Sequence, residues 1–230
     1  MRHSASLVVA AAVLAAVGCR HVAAPPAPVG DWRVLVEPVK PFAAVYRLAC
    51  CGRRGLIAAI RGDGSSLLVA ISAPPAGEIV QAWVVSGRVD VFWSRDRCHQ
   101  DLPGGFLPLD RVARLALEPA VLAMALSGRL PGDAHAVDGL ADWVAGRVGG
   151  VPIRARLAGD PPRLVRIEVP SAGDRPAATI DCADHRARVP GTLVIASGAE
   201  HVELRLASWR GGNPPEAPAW LDRPVCVEGP

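Results

Sequence analysis

Between Val45 and Trp93, apolar and polar residues alternate in short runs separated by turn-forming residues. Residues 45–51, 55–62, 66–72, 79–85 and 88–93 read as strands. Successive strand side chains point to opposite faces, so a half-buried sheet alternates with period two. In the last run Val89, Val91 and Trp93 share one face, and Arg88, Asp90 and Phe92 share the other. Gly62-Asp63-Gly64, Pro74-Pro75-Ala76-Gly77 and Ser86-Gly87 supply turn chemistry. Connections this short join antiparallel neighbours.

Residues 94–107 are irregular and polar, and the period then changes over 107–131. Leu109, Val112, Leu115 and Ala116 fall on one helical face, with Arg111 and Arg114 off it. Pro119 splits or kinks this helix, and Val121, Leu122, Ala125 and Leu126 continue the stripe. A second, short helix is expected around Trp143, with Leu140 and Val144 at helical spacing between Gly139 and Gly146. Strand patterns resume at 153–157, 163–169, 176–182, 191–196 and 201–209; in the last, Val202, Leu204 and Leu206 point inward. Residues 210–230 hold Trp220 and Cys226 but no periodic pattern.

About five strands, a helical insert and four to five more strands predict a mainly-β (α+β) domain. Its antiparallel sheet curls into an incomplete barrel to bury one face, and the insert lies across the mouth as a lid. The candidate inward positions, which would line an apolar cavity, are Leu56 or Ile57, Leu68, Trp83, Val91, Trp93, Leu115, Leu122, Trp143, Ile153, Leu204 and Leu206.

Composition narrows the class. Half of the 230 residues are hydrophobic and a fifth are charged, which is globular rather than disordered. The net charge is only +3; Lys40 is the sole lysine, and the arginines are spread along the chain without a basic stripe. That argues against a nucleic-acid binder. Arg2 and His3 precede an apolar run, Leu7 to Val17, that is too short to span a bilayer. The run ends in Ala15-Ala16-Val17-Gly18-Cys19, which reads as a lipoprotein export signal over 1–18 with Cys19 as the lipid-attachment residue; the alternative is an ordinary signal peptide with an incidental cysteine. Residues 19–41 then form a Pro-rich tether, 42–210 the half-barrel domain and 211–230 an irregular tail. An acyl anchor tethers a chain without spanning the membrane. Arg20, where aspartate would favour inner-membrane retention, points to the periplasmic face of an outer membrane.

Five cysteines follow Cys19: Cys50, Cys51, Cys98, Cys182 and Cys226. Export permits disulfides, the odd number leaves at least one thiol over, and the pairing is open. No CxxC zinc set is present. Asp96, Cys98, His99 and Asp101 cluster, as do Asp181, Cys182, Asp184 and His185. Each is a metal or nucleophile site on paper, and more simply a polar loop holding a disulfide cysteine. Hydrolase, metalloprotease, nucleotide and dinucleotide motifs are absent from the sequence, so catalysis, cofactors and metals are not expected.

Three stretches resemble the LolB outer-membrane lipoprotein family and the wider LolA/LolB fold. Leu126, Gly128, Pro131, Leu140, Trp143 and Gly146 match its L-G-x-P…L-x-x-W-x-x-G pattern; residues 190–209 match its strand–turn–strand finish with a terminal tryptophan; the third is the lipobox. The resemblance spans roughly Val45 to Trp209. It implies a half-barrel under helices whose apolar cavity holds acyl chains, palmitate-like, of lipoproteins or lipids. It further implies a monomeric acceptor or localisation factor, supplied by a LolA-like periplasmic carrier, with Trp143 on the lid side. It places a membrane-insertion loop at Pro75 and Ala76. Alanine there, in place of a large apolar residue, forfeits roughly 1.5–3 kcal/mol of partitioning. A lipid or glycolipid carrier of the same fold, or a non-carrier envelope docking lipoprotein, are the alternatives.

Overall fold

The computed structural model describes residues 29–226 except 37, 51–52, 86–87, 103–106, 110–112, 116 and 174–175. The export signal, Cys19 and the tether up to residue 28 lie outside the described residues. The elements in chain order are β1 (Phe42–Cys50), β2 (Arg53–Gly62), β3 (Ser66–Ala73), β4 (Gly77–Val85), β5 (Arg88–Trp93), β6 (Cys98–Leu102), β7 (Leu107–Leu109), β8 (Ala113–Leu115), α1 (Pro119–Ser127), β9 (His135–Val137), β10 (Leu140–Val148), β11 (Val151–Ala158), β12 (Arg163–Val169), β13 (Ala178–Ala183), β14 (Thr192–Ser197) and β15 (Glu200–Gly211).

Thirteen strands form one antiparallel sheet in the order β6-β5-β4-β3-β2-β1-β15-β14-β13-β12-β11-β10-β9. Two meanders are fused where β1 pairs with β15, and β6 and β9 are left as edges. The sheet is therefore an open half-barrel. The chain must travel from one edge to the other, and the insert that does so consists of the β7–β8 hairpin and α1.

One face of the sheet is largely apolar, with Ser197 among its few polar members. Rungs such as Leu56–Leu48–Leu204–Leu193–Cys182 run across it, joined by the registers of neighbouring strands. All of these are buried in a single core cluster. A one-residue irregularity between β1 and β15, after Val45, turns Trp209 onto Phe42, with ring centroids 4.5 Å apart. The core also includes every residue of α1 from Val121 to Leu126. A helix that is apolar all round is buried all round, and α1 is packed into the hollow of the sheet rather than laid over it.

Four expectations are corrected. Residues 98–102, read as irregular, form edge strand β6. Leu107–Leu109 and Ala113–Leu115 pair as antiparallel strands rather than forming a helix. Leu107, Leu109, Ala113, Leu115 and Leu117 also recur with period two, and pairing prevails over the helical period there. The helix is therefore short and unkinked at Pro119, which stands at its first turn, where its missing N–H costs nothing. Trp143 lies on strand β10, not on a helix. Gly149 and Gly150, both at positive φ, make the two-residue turn into β11 that fixes β10 as a hairpin strand.

Both terminal segments are docked. Residues 32–35 form a 3-10 turn with Leu35 fully buried, and the Leu35 carbonyl accepts from the Leu130 amide at 2.9 Å. At the other end Trp220 stacks on Phe92, and its indole N–H donates to Gln81. Cys226 is joined to Cys98, and backbone bonds from His99 to Pro224 and from Cys226 to His99 cover the edge of β6. A covered edge offers no template for another chain.

Cys98→Ser is expected to cost about 2–5 kcal/mol, since the bridge closes a 128-residue separation. Urea unfolding of the parent and the variant, each with and without reductant, checks this. Only the parent should respond to reductant.

Candidate functional site

A cleft of about 550 Å³ lies alongside α1. The turns after β2 and after β10 both reach it, bringing Gly64 and Gly149 to one rim. Its apolar wall includes Leu67, Val84, Ala123, Met124, Leu130 and Val148. Ala120, Ala123 and Met124 share one helical face. The cleft exists because two of those three side chains are methyl groups. Ala123 and Met124 are at once core residues and cleft wall, whereas Val121, Leu122, Ala125 and Leu126 do not line the cleft.

The rim is polar. Glu118, Arg129 and Arg147 line it with Ser65 and Ser66. Arg147 donates to the Gly150 carbonyl, which holds its guanidinium beside the β10–β11 turn. Asp63 fixes the opposite turn by accepting from the amides of Ser65 and Ser66, at 2.9 and 2.8 Å, and from both hydroxyls. Burial pulls this carboxyl upward, but the hydrogen bonds outweigh it and hold it below the usual carboxylate range.

Glycines set the end of α1. Gly128 has φ +64° and forms the left-handed cap, its amide bonded to the Ala125 carbonyl at 3.2 Å. A Cβ there would lie 2.0 Å from the Arg188 carbonyl oxygen. At Gly146 a Cβ would lie 2.7 Å from the Pro131 ring. Gly128 thus seats the end of the helix against the segment after β13, and Gly146 seats the loop after the helix, at Pro131, against β10.

The structure places the sequence-derived positions as follows. Leu56, Val91, Leu122, Ile153, Leu204 and Leu206 are buried in the core, and Trp93 packs against it half-buried. Leu68 and Trp83 lie opposite each other on the outer face instead, because Leu67, Val69 and Ile71 of β3, with Val80, Ala82 and Val84 of β4, are the inward set. Trp143 is also outward and half-buried, opposite Arg156 in the register, where Arg156 pairs with Asp142 at 2.7 Å. The Leu115 side chain lies outside the described residues, although its backbone is in β8. Pro75 and Ala76 sit exposed in the β3–β4 turn.

None of these positions lines the cleft, which the sequence reading missed. The signal for β3 and β4 was present: Gln81 marks an outer row to which Trp83 belongs. The helical face of Ala120, Ala123 and Met124 carried no signal, since alanine in a helix is unremarkable until its neighbours are known.

The residues of the two polar clusters are engaged as follows. Cys98 is consumed by its disulfide. Cys182 points into the core, where burial, and then the nearby Asp181, push its thiol up to about 12. His185 bonds the Leu164 carbonyl at 2.8 Å, and burial holds its imidazole below the usual value. Among the described residues no group of three or more His, Cys, Asp or Glu is placed to hold a metal.

No family model matches the chain, and no curated protein matches it. Among solved structures, a LolA-superfamily protein from Nitrosomonas europaea is similar in fold, with a TM-score of 0.51 at 12% identity over 80% of this chain and 94% of that one. The lipoprotein LppX of Mycobacterium tuberculosis and the protein LprF of Mycobacterium bovis align over 74% and 76% of this chain and 86% and 90% of theirs. Their identities are 12% and 13%, and their TM-scores of 0.29 and 0.28 are too low to bear on the argument. The architecture is a LolA-like open half-barrel.

Gly128→Ala is expected to destabilise the chain by at least about 2 kcal/mol, from the left-handed backbone and the clash with Arg188. Gly132→Ala, where a Cβ meets nothing within 4 Å, should stay within about 0.5 kcal/mol of the parent. Denaturant midpoints of the two variants check the contrast.

Proposed function

We propose that this chain is a lipid-anchored envelope protein that binds an acyl chain in the cleft beside α1. In this role it acts as an acceptor or localisation factor for lipoproteins at the periplasmic face of an outer membrane. The carrying observation is the cleft itself: about 550 Å³, with an apolar wall and a rim holding Arg129 and Arg147. That volume lies within the range of small-molecule sites. The chemistry is binding, not bond-breaking. An acyl chain enters because its surface leaves water, at about 25 cal/mol per Å², and the rim arginines face a carboxylate or the polar end of a lipidated cysteine. Handover needs only a second site that binds more tightly. The fold shared with a LolA-superfamily protein supports this reading, as does the export signal ending at Cys19. A LolA-like carrier is the donor this role requires, and LolB-like acceptance is the specific form proposed.

One observation favours a second reading. The hollow of the half-barrel is filled by α1 and core side chains. A domain whose interior is occupied suits a docking lipoprotein that uses its outer surface and carries no lipid.

One binding experiment separates the two. The full chain with Cys19→Ser is titrated with cis-parinaric acid, an acyl probe that fluoresces when buried. The carrier reading expects saturable uptake, weakened at least about ten-fold by Ala123→Trp and by Ala120→Phe, which fill the cleft. Unchanged circular dichroism and unfolding midpoints show that the variants remain folded. No uptake by the parent, or equal uptake by both filled variants, contradicts the carrier reading and leaves the docking one.

A further inference from the structure

The outer face of the sheet, opposite the core, carries a second feature. A groove of about 660 Å³ crosses β3, β2, β1 and β15. The register shows how it is built. In one row, Arg61 of β2 and Arg210 of β15 flank Ala43 of β1. The next row is small and apolar, with Ala59 beside Val45. The row after that places Arg47 of β1 directly opposite Arg205 of β15. The first arginine pair, Arg61 and Arg210, lines the groove, and the second, Arg47 and Arg205, lies beyond its floor on the same face. Four residues along a strand separate the two rows, about 13 Å.

These charges are poorly compensated. Arg47, Arg61, Arg205 and Arg210 are all exposed. Arg205 is paired with Glu203, whereas among the described residues the other three make no ion pair. Glu78 is the one acid lining the groove, and it is engaged by Gln81 and Ser94. Like charges directly opposite on a sheet are unfavourable, so the Arg47–Arg205 juxtaposition stands against folding. Elsewhere on the same face arginines are matched: Arg166 lies between Glu168 and Asp181, and Arg156 meets Asp142.

We propose that this arginine-walled face docks on a bilayer surface rich in anionic phospholipid. Charge complementarity selects the occupant. Rows of guanidinium groups about 13 Å apart cannot converge on one small anion, but a plane of phosphates meets all of them at once. Ile57, a large apolar residue 36% exposed and opposite Arg47 in the register, is placed to contact the acyl boundary. The inference does not rest on acyl binding in the cleft. It leaves that cleft, on the other side of the sheet, facing away from the bilayer.

The test uses the full chain with Cys19→Ser, so that no lipid anchor contributes. Co-sedimentation is measured with vesicles of phosphatidylcholine alone and with one-third phosphatidylglycerol. Binding is expected only to the anionic vesicles, with loss at 0.5 M salt. Each arginine should contribute about five-fold, so the triple variant Arg47→Gln, Arg61→Gln, Arg210→Gln should bind roughly 100-fold more weakly. The charge-matched triple Arg95→Gln, Arg163→Gln, Arg186→Gln, at exposed positions elsewhere, should bind within about three-fold of the parent. Equal binding to neutral vesicles, or equal losses in the two triples, would overturn the proposal. Parinaric acid uptake measured on the same proteins is expected to be unchanged by either triple, so failure of one reading is distinguishable from failure of the other.

Discussion

An open sheet with one largely apolar face cannot stand in water, and this constraint organises the molecule. Pairing of β1 with β15 fuses two meanders into thirteen strands but leaves β6 and β9 unjoined. The segment connecting those edges crosses the hollow between them and fills it. It does so with α1, whose side chains from Val121 to Leu126 are all buried. Its larger members, Val121, Leu122, Met124 and Leu126, each contribute about 1.5–3 kcal/mol, upper estimates because unfolded chains bury some apolar surface already. The edges are managed separately. The tail clamped by Cys98–Cys226 covers β6, and β9 is a short strand of three residues.

The same packing creates the candidate site. Where α1 presents Ala120 and Ala123 to the sheet, the fit is incomplete and a cleft remains. Where it presents larger residues, no comparable space is left. Gly146 lets the loop after α1 lie close against β10, while Gly128 lets the end of α1 lie against the Arg188 backbone. Site and stability thus come from one element. The outer face is independent of it, since alternation along each strand lets polar residues vary there without disturbing the core.

Most of the architecture was legible from periodicity. Strands from 45 to 93 and from 153 to 209, the mid-chain insert and the half-barrel all follow from alternation and turn chemistry. The failures share one cause: short apolar runs fit both periods. Residues 107–115 and the stretch around Trp143 satisfy helical spacing and strand spacing alike. The deciding information was the partner strand in the first case and the Gly149-Gly150 turn in the second. Face assignment failed at Leu68 and Trp83 because bulk was preferred over the row as a whole; Gln81 and Asp90 share that row. The cleft was invisible because it is defined by what is small, Ala120 and Ala123, and by which elements meet there.

In the proposed function α1 both fills the half-barrel and forms one wall of an acyl site. Hydrogen–deuterium exchange of the amides in 121–129, with and without palmitate, tests it most directly. The account predicts that these amides exchange through local opening below the free energy of global unfolding, and that palmitate slows them while the β13–β14 amides are unaffected. Exchange of α1 only through global unfolding, with no response to palmitate, would contradict it and make α1 a permanent part of the core.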